Sequence, residues 1–191
     1  SIDTSRSKVA KECIKHGADA INDVTGLKYD KNMSYIVSKA KKPVIIGAFG
    51  DKQSSSKSGK MSSTIKILNE SLIIAKRAGI DDRNIIIDPS IGFFRAEGKN
   101  LFFTEIKDMA WYTRDLETIS KLRNLKIFSK PICISVSRKS FIGRLFQLKT
   151  EERLAPSIAS EIIAVINGAN LIRTHNVKET VQALTMLELL Y

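Results

Sequence analysis

The sequence predicts an α/β protein built on a parallel sheet. Three observations carry that expectation: extended runs that are apolar throughout, helical patterns between them with apolar residues three and four apart, and glycines that close helices just ahead of the next extended run. Ile85-Ile86-Ile87 and Ile132-Cys133-Ile134 are uniformly apolar and do not alternate, as expected of strands covered by helices on the sheet faces. Gly17, Gly79 and Gly168 stand where a helix must stop, and a residue without Cβ takes the positive φ of such a stop at little cost.

Taken in order, strands are expected around Ser1-Thr4, Ala18-Val24, Pro43-Ala48, Asn84-Asp88, Pro131-Val136 and Ala169-Thr174. Helices are expected over Ser7-His16, Asn32-Lys39, Met61-Ala78, Phe102-Leu122, Glu151-Asn167 and Val177-Leu190. Six strand-helix units in 191 residues are about 32 residues each. A (βα)8 barrel typically takes about 250 residues, so a barrel would lack two units, and an open doubly wound sheet remains the other closure. Composition is even along the chain, so residues 1–191 read as one domain. Asp51 to Ser63, rich in serine and lysine, is the only low-complexity stretch and reads as a surface loop or a lid after the third strand.

With 43% hydrophobic and 27% charged residues the chain can fill a core. No run approaches the ~20 apolar residues of a membrane span. Two cysteines exclude a disulfide scaffold and suit a cytoplasmic protein. His16 and His175 are too far apart in sequence to suggest a structural zinc, and no GxGxxG or Walker pattern is present. Lys and Arg number 31 against 20 Asp and Glu, a net charge of +11 that favours anionic ligands. The basic residues are scattered without aromatic interleaving, so no nucleic-acid partner is expected.

Polar residues gather at the strand ends. Asp3 closes the first strand, Asn22 and Asp23 the second and Asp88 the fourth; Ser137, Arg138 and Lys139 follow the fifth, and Arg173 with His175 close the sixth. Any parallel closure brings these ends to one face, where loops build the site. The set is mixed in sign: carboxylates and an amide suit a nitrogen heterocycle, and the cations suit an anion. No nucleophile with its base is evident, and Ser140 has an alternative use as a helix cap.

The segments SIDT at 1–4, INDVTG at 21–26, DPSIGF at 88–93, SRKSFIG at 137–143 and RTHNV at 173–177 resemble, in order, the strand-end motifs of the dihydropteroate synthase family. The resemblance implies a (βα)8 TIM barrel in which these motifs sit on the third to eighth strands. It implies a transferase of folate or modified-pterin biosynthesis that condenses a dihydropterin pyrophosphate with p-aminobenzoate or a related arylamine and releases pyrophosphate, aided by Mg²⁺. Residue by residue it implies pterin binding by Asp3, Asn22, Asp88 and Lys139, and arylamine binding by Phe93, Arg138 and Ser140. Phosphate binding falls to Arg173 and His175, with Lys139, Arg173 and His175 serving catalysis. The implied partners are the two small-molecule substrates and a second copy of the chain, with no nucleic acid and no membrane.

Two related readings stay beside it: a non-catalytic pterin-binding paralogue, and the pterin-binding domain of a methyltetrahydropterin-dependent methyltransferase. The SRKS and RTHNV segments favour the synthase, because methyl transfer has no pyrophosphate to anchor. The chain departs from the family pattern at Gly47, Ala48 and Phe49, at Ser90 and Phe94 where glycines are usual, and at Arg95 where a lysine is usual. The lost glycines predict a changed turn or backbone approach there. Because Ser1 stands directly on a strand, an upstream segment of two strand-helix units, with the metal-contacting residues, is a further expectation.

Overall fold

The computed structural model describes residues 1–50, 58–96 and 100–190, so residues 51–57 of the loop or lid expected over Asp51 to Ser63 lie outside the described residues, and its last three residues begin a helix. Strands β1 (Ile2–Asp3), β2 (Ile21–Asp23), β3 (Val44–Gly47) and β4 (Ile85–Asp88) form a parallel sheet in that order. The register pairs Asp3 with Asn22, Asn22 with Ile45, and Gly47 with Asp88, which sets the polar strand ends beside one another. A parallel bridge from Ile87 to Ile132 continues the row into β7 (Cys133–Ile134), which pairs with β8 (Leu171–Ile172).

The helices connecting these strands are α1 (Ser7–Lys15), α2 (Met33–Ala40), α3 (Met61–Arg77), α4 (Trp111–Ser120), α5 (Ser140–Phe146) and α6 (Leu154–Ile166), with α7 (Val177–Leu190) after β8. Ile21, Val44, Ile46, Ile87, Ile132 and Ile134 are at most 1% exposed, so the uniformly apolar strands are covered on both faces. Each such side chain contributes roughly 1.5–3 kcal/mol of burial, the main force holding helices to sheet. Gly17, Gly79 and Gly168 take φ of 95°, 72° and 104°, as the helix stops require.

A flat row of these six strands would set β1 and β8 about 24 Å apart at about 4.8 Å per neighbour. Instead Arg173 Nη2 reaches Asp3 Oδ2 at 2.7 Å, across the carboxyl ends of β8 and β1. The sheet is therefore strongly curled, as in an α/β fold of the (βα)8 type and unlike an open doubly wound sheet.

One expectation about local structure is corrected. Phe102-Leu122 is not one helix: Phe94–Arg95 (β5) pairs in parallel with Thr104–Glu105 (β6), and the helix begins only at Trp111. The apolar spacing of Phe102, Phe103 and Ile106 mimics helical period, but Phe94, Thr104 and Ile106 are buried by tertiary contact, and Thr104 Oγ1 accepts from the Gly50 backbone N–H at 2.9 Å. This short arm thus ties the loop after β4 to the end of β3. The DPSIGF turn is built on two positive-φ residues. Ser90 adopts φ 57° and Gly92 φ 85°, so the serine holds the left-handed conformation despite its Cβ, at about 1–2 kcal/mol of strain.

Candidate active site

The carboxyl ends of the strands build one polar cluster. Asp3 Oδ1 accepts a hydrogen bond from Asn22 Nδ2, and its other oxygen takes the Arg173 guanidinium. Asn22 is 1% exposed, so this pairing fixes its amide. Asp88 is 8% exposed, and its Oδ1 accepts from the Ser90 N–H at 2.6 Å. Burial pushes the Asp88 pKa up; the Ser90 N–H and then Lys139, Arg173 and Arg114 act against that rise. Burial likewise lowers the Lys139 pKa, opposed first by Asp88 and then by Asp115. Lys139 and Asp88 therefore act on each other electrostatically in a partly dry setting, where a ligand with hydrogen-bonding edges gains most.

Asp23 has a different task. Its Oδ1 accepts from the Thr25 N–H and hydroxyl, and its Oδ2 from the Leu27 N–H, so it folds the turn after β2. His175 is oriented by Ser137, whose Oγ lies 3.0 Å from Nδ1 and also accepts from the His175 backbone N–H. Arg138, at φ 55°, turns its guanidinium to Asn176 Oδ1 at 3.0 Å and to the Thr150 carbonyl, away from Phe93. Phe93 carries Lys139 Nζ over its ring at 4.7 Å and meets Phe103 edge-on at 6.5 Å. Ser140 is the first residue of α5 and its side chain caps nothing; its Oγ accepts from Arg95 Nη2 at 2.7 Å. Of the residues expected at the site, Asp3, Asn22, Asp88, Lys139 and Arg173 come together, Phe93 and Ser140 stand beside them, and Arg138 does not join.

Behind the Asp88–Gly92 turn lies a buried group that sequence reasoning missed. Arg114 Nη2 donates to the Pro89 carbonyl at 2.7 Å and to Thr64 Oγ1, Nη1 donates to the Ser90 carbonyl, and the guanidinium stacks on Phe94 at 3.5 Å. Asp115 accepts the Gly92 N–H at 3.0 Å. These bonds clamp the strained turn from below. Burial lowers the Arg114 pKa to about 10, with Asp115 opposing the fall most strongly. The available signal was the Arg114-Asp115 pair inside an amphipathic pattern, which reads as an exposed ion pair until the arm covers it.

Among the described residues no three His, Cys, Asp or Glu side chains lie close enough together to hold a metal ion. The expectation of Mg²⁺ and of a metal-binding protein is corrected accordingly. The carboxylates are instead set among cations: Asp3 pairs with Arg173, Asp115 with Arg114, and Lys139, Arg173 and Arg114 act on Asp88.

A curled parallel α/β sheet with a mixed-sign site at its strand carboxyl ends defines the class as a barrel-type small-molecule-binding protein. The chain belongs to the pterin-binding enzyme family, whose match covers residues 1–175. It is 34% identical to the dihydropteroate synthase of Clostridium beijerinckii over 191 residues, covering 100% of this chain and 65% of that protein. The crystal structure of dihydropteroate synthase from Clostridium difficile in the presence of pteroic acid matches with a TM-score of 0.85 and 29% identity, over 100% of this chain and 66% of that one. The Xanthomonas albilineans enzyme with 4-aminobenzoic acid matches at 0.83 and 28%, over 98% of this chain and 63% of that one. The chain thus spans about two thirds of the length of these relatives. No helix among the described residues is long and apolar enough to cross a membrane.

Proposed function

We propose that this chain carries the substrate-binding strand ends of a dihydropteroate synthase-type transferase, one that joins a dihydropterin pyrophosphate to p-aminobenzoate or a related arylamine. On this reading its six sheet strands correspond to the third to eighth of a (βα)8 barrel. Asp88, Asn22 and Asp3 bind the aminopyrimidinone edge, which offers planar N–H donors that a carboxylate accepts in pairs. The bond from the exocyclic methylene carbon to the pyrophosphate oxygen breaks, and the electron-rich pterin stabilises positive charge on the carbon. Lys139, Arg173 and His175 stabilise the charge that builds on the leaving pyrophosphate. The arylamine nitrogen then bonds to that carbon and its proton passes to solvent, so the reaction needs no covalent enzyme intermediate. Related synthases crystallised with pteroic acid and with 4-aminobenzoic acid support this choice of substrates.

The single observation that carries the reading is the Asp3-Asn22-Arg173 network beside Asp88 and Lys139, a paired-carboxylate and cation set on one face. Pyrophosphate release by the whole polypeptide tests it. Release from the dihydropterin pyrophosphate is expected only when an arylamine is supplied. Tight pterin binding without release across a panel of arylamines would sink the enzyme reading and leave a pterin-binding module.

A further inference from the structure

Arg95 is a cation at the site's edge that the chemistry above does not use. Its guanidinium stacks over Trp111 at 4.1 Å and lies 5.4 Å from the Phe103 ring centroid. Nη1 donates to the Phe94 carbonyl at 2.8 Å, and Nη2 donates to Ser140 Oγ at 2.7 Å. Its side chain is 14% exposed. Such a set of contacts removes most of the rotamer freedom of a residue that usually moves on a long stem.

The fixed guanidinium is short of negative charge. The carboxylate nearest to it among the described residues is Asp115, whose Oδ2 stands 4.0 Å from Nη1, beyond hydrogen-bond reach, while its Oδ1 is engaged by Arg114 and Gly92. Arg95, Arg114 and Lys139 therefore share Asp88 and Asp115, and burial works against the Arg95 charge. Nε and part of Nη2 make no hydrogen bond to a described residue, and Ser140, which accepts from Arg95, retains its own O–H to donate. Between this pair and Lys139 stands an aromatic wall, Phe93 against Phe103.

Resting on the synthase reading, we propose that Arg95, with Ser140, is the specificity-determining anchor for an anionic group on the arylamine. The ring lies along Phe93 and Phe103, its amine faces the pterin methylene beside Lys139, and its carboxylate or other anion takes the Arg95 guanidinium and the Ser140 hydroxyl. A planar fork held by stacking suits a carboxylate better than a mobile lysine ammonium does. The arm carrying Phe103 and the start of α4 carrying Trp111 thus serve selection of the second substrate, through a residue that departs from the usual lysine.

The test compares two amines in the whole polypeptide, anionic p-aminobenzoate and neutral p-aminobenzamide, with pterin affinity measured by calorimetry alongside. Arg95→Met is expected to reduce the kcat/KM preference for the anionic amine roughly tenfold, the loss of one charge-assisted contact, mainly through KM. Arg95→Lys is expected to retain part of the preference. An unchanged preference in Arg95→Met, or an equal loss for both amines, overturns the proposal. So does an Arg95→Lys protein no more selective than Arg95→Met, because packing on Trp111 would then carry the effect. If Arg95→Met does not fold, Arg95→Gln supplies the same comparison. Failure of the unsubstituted protein to bind pterin is distinguishable from these results, and would overturn the synthase reading and this inference together.

Discussion

Asp88 shows how one residue is read at two levels. Its place before Pro89 is an ordinary turn position, yet it is 8% exposed and its pKa is raised chiefly by burial. A buried carboxylate of this kind serves a ligand only in its ionised form, and the two pH trends therefore oppose each other. Because burial penalises the charged form, the protonated carboxyl favours folding; that contribution is fully present below the unfolded value of about 3.8 and is lost as pH rises through the raised folded pKa. Pterin binding through the carboxylate runs the other way and is lost as pH falls through that raised value. Asp88→Asn is expected to weaken pterin binding by roughly 2–5 kcal/mol and to flatten the acid limb of the affinity profile. Calorimetric titration of both proteins between about pH 4 and pH 7 checks this, and a folded variant with the parent's affinity would show the residue to be a turn former only.

The arm formed by β5 and β6 is the element on which the sequence misled most. Short apolar stretches cannot be assigned by periodicity alone, because a half-buried strand pair and a helix both place apolar residues at mixed spacings. What fixes the arm is a contact distant in sequence, the Gly50 N–H to Thr104 Oγ1, with Thr104 2% exposed. Thr104→Val keeps the shape and leaves the buried Gly50 donor without its partner, so a loss of about 1–3 kcal/mol is expected in denaturant unfolding. A loss below about 0.5 kcal/mol would mean that the arm is held by its aromatic packing and not by this bond. In contrast α1, α3 and α7 match their sequence expectations to within one residue, since each is long enough for its apolar stripe to repeat.

At the scale of the whole molecule, curvature decides which residues meet. Asp3 and Arg173 are 170 positions apart and pair only because the sheet curls. Their side chains are 57% and 31% exposed, so solvent screens the pair and its worth to folding is small. Arg173→Ala is expected to cost less than about 1 kcal/mol of stability while reducing turnover more than tenfold, as loss of a cation at a developing anion does. Thermal melts beside steady-state kinetics separate the two effects; a large fall in stability with normal turnover would reassign Arg173 to the scaffold. A groove of about 690 Å³ also runs along β8 between α6 and α7, lined by Leu171, Ile172, Val181 and Leu184. Its lining is mostly apolar but also takes in Asn170 and Glu188, and it reaches Arg173 and His175 of the strand-end site.

By itself the sequence determined the alternation of strands and helices, the helix-stopping glycines and the polar strand ends, because each is written in local periodicity or in the chemistry of single residues. Asp3, Asn22, Asp88, Lys139 and Arg173 were legible for that reason: a parallel sheet brings all strand ends to one face whatever its closure. Only the tertiary structure decided that the sheet curls far enough for Arg173 to reach Asp3, that Arg138 turns to Asn176, and that Ser90 keeps a left-handed turn under the Arg114 and Asp115 clamp. It also decided the setting of Arg95, which in sequence is one cation among 31. Its hold on Ser140 and Trp111 depends on contacts 45 and 16 positions away, and such contacts arise from packing between elements that no local pattern encodes.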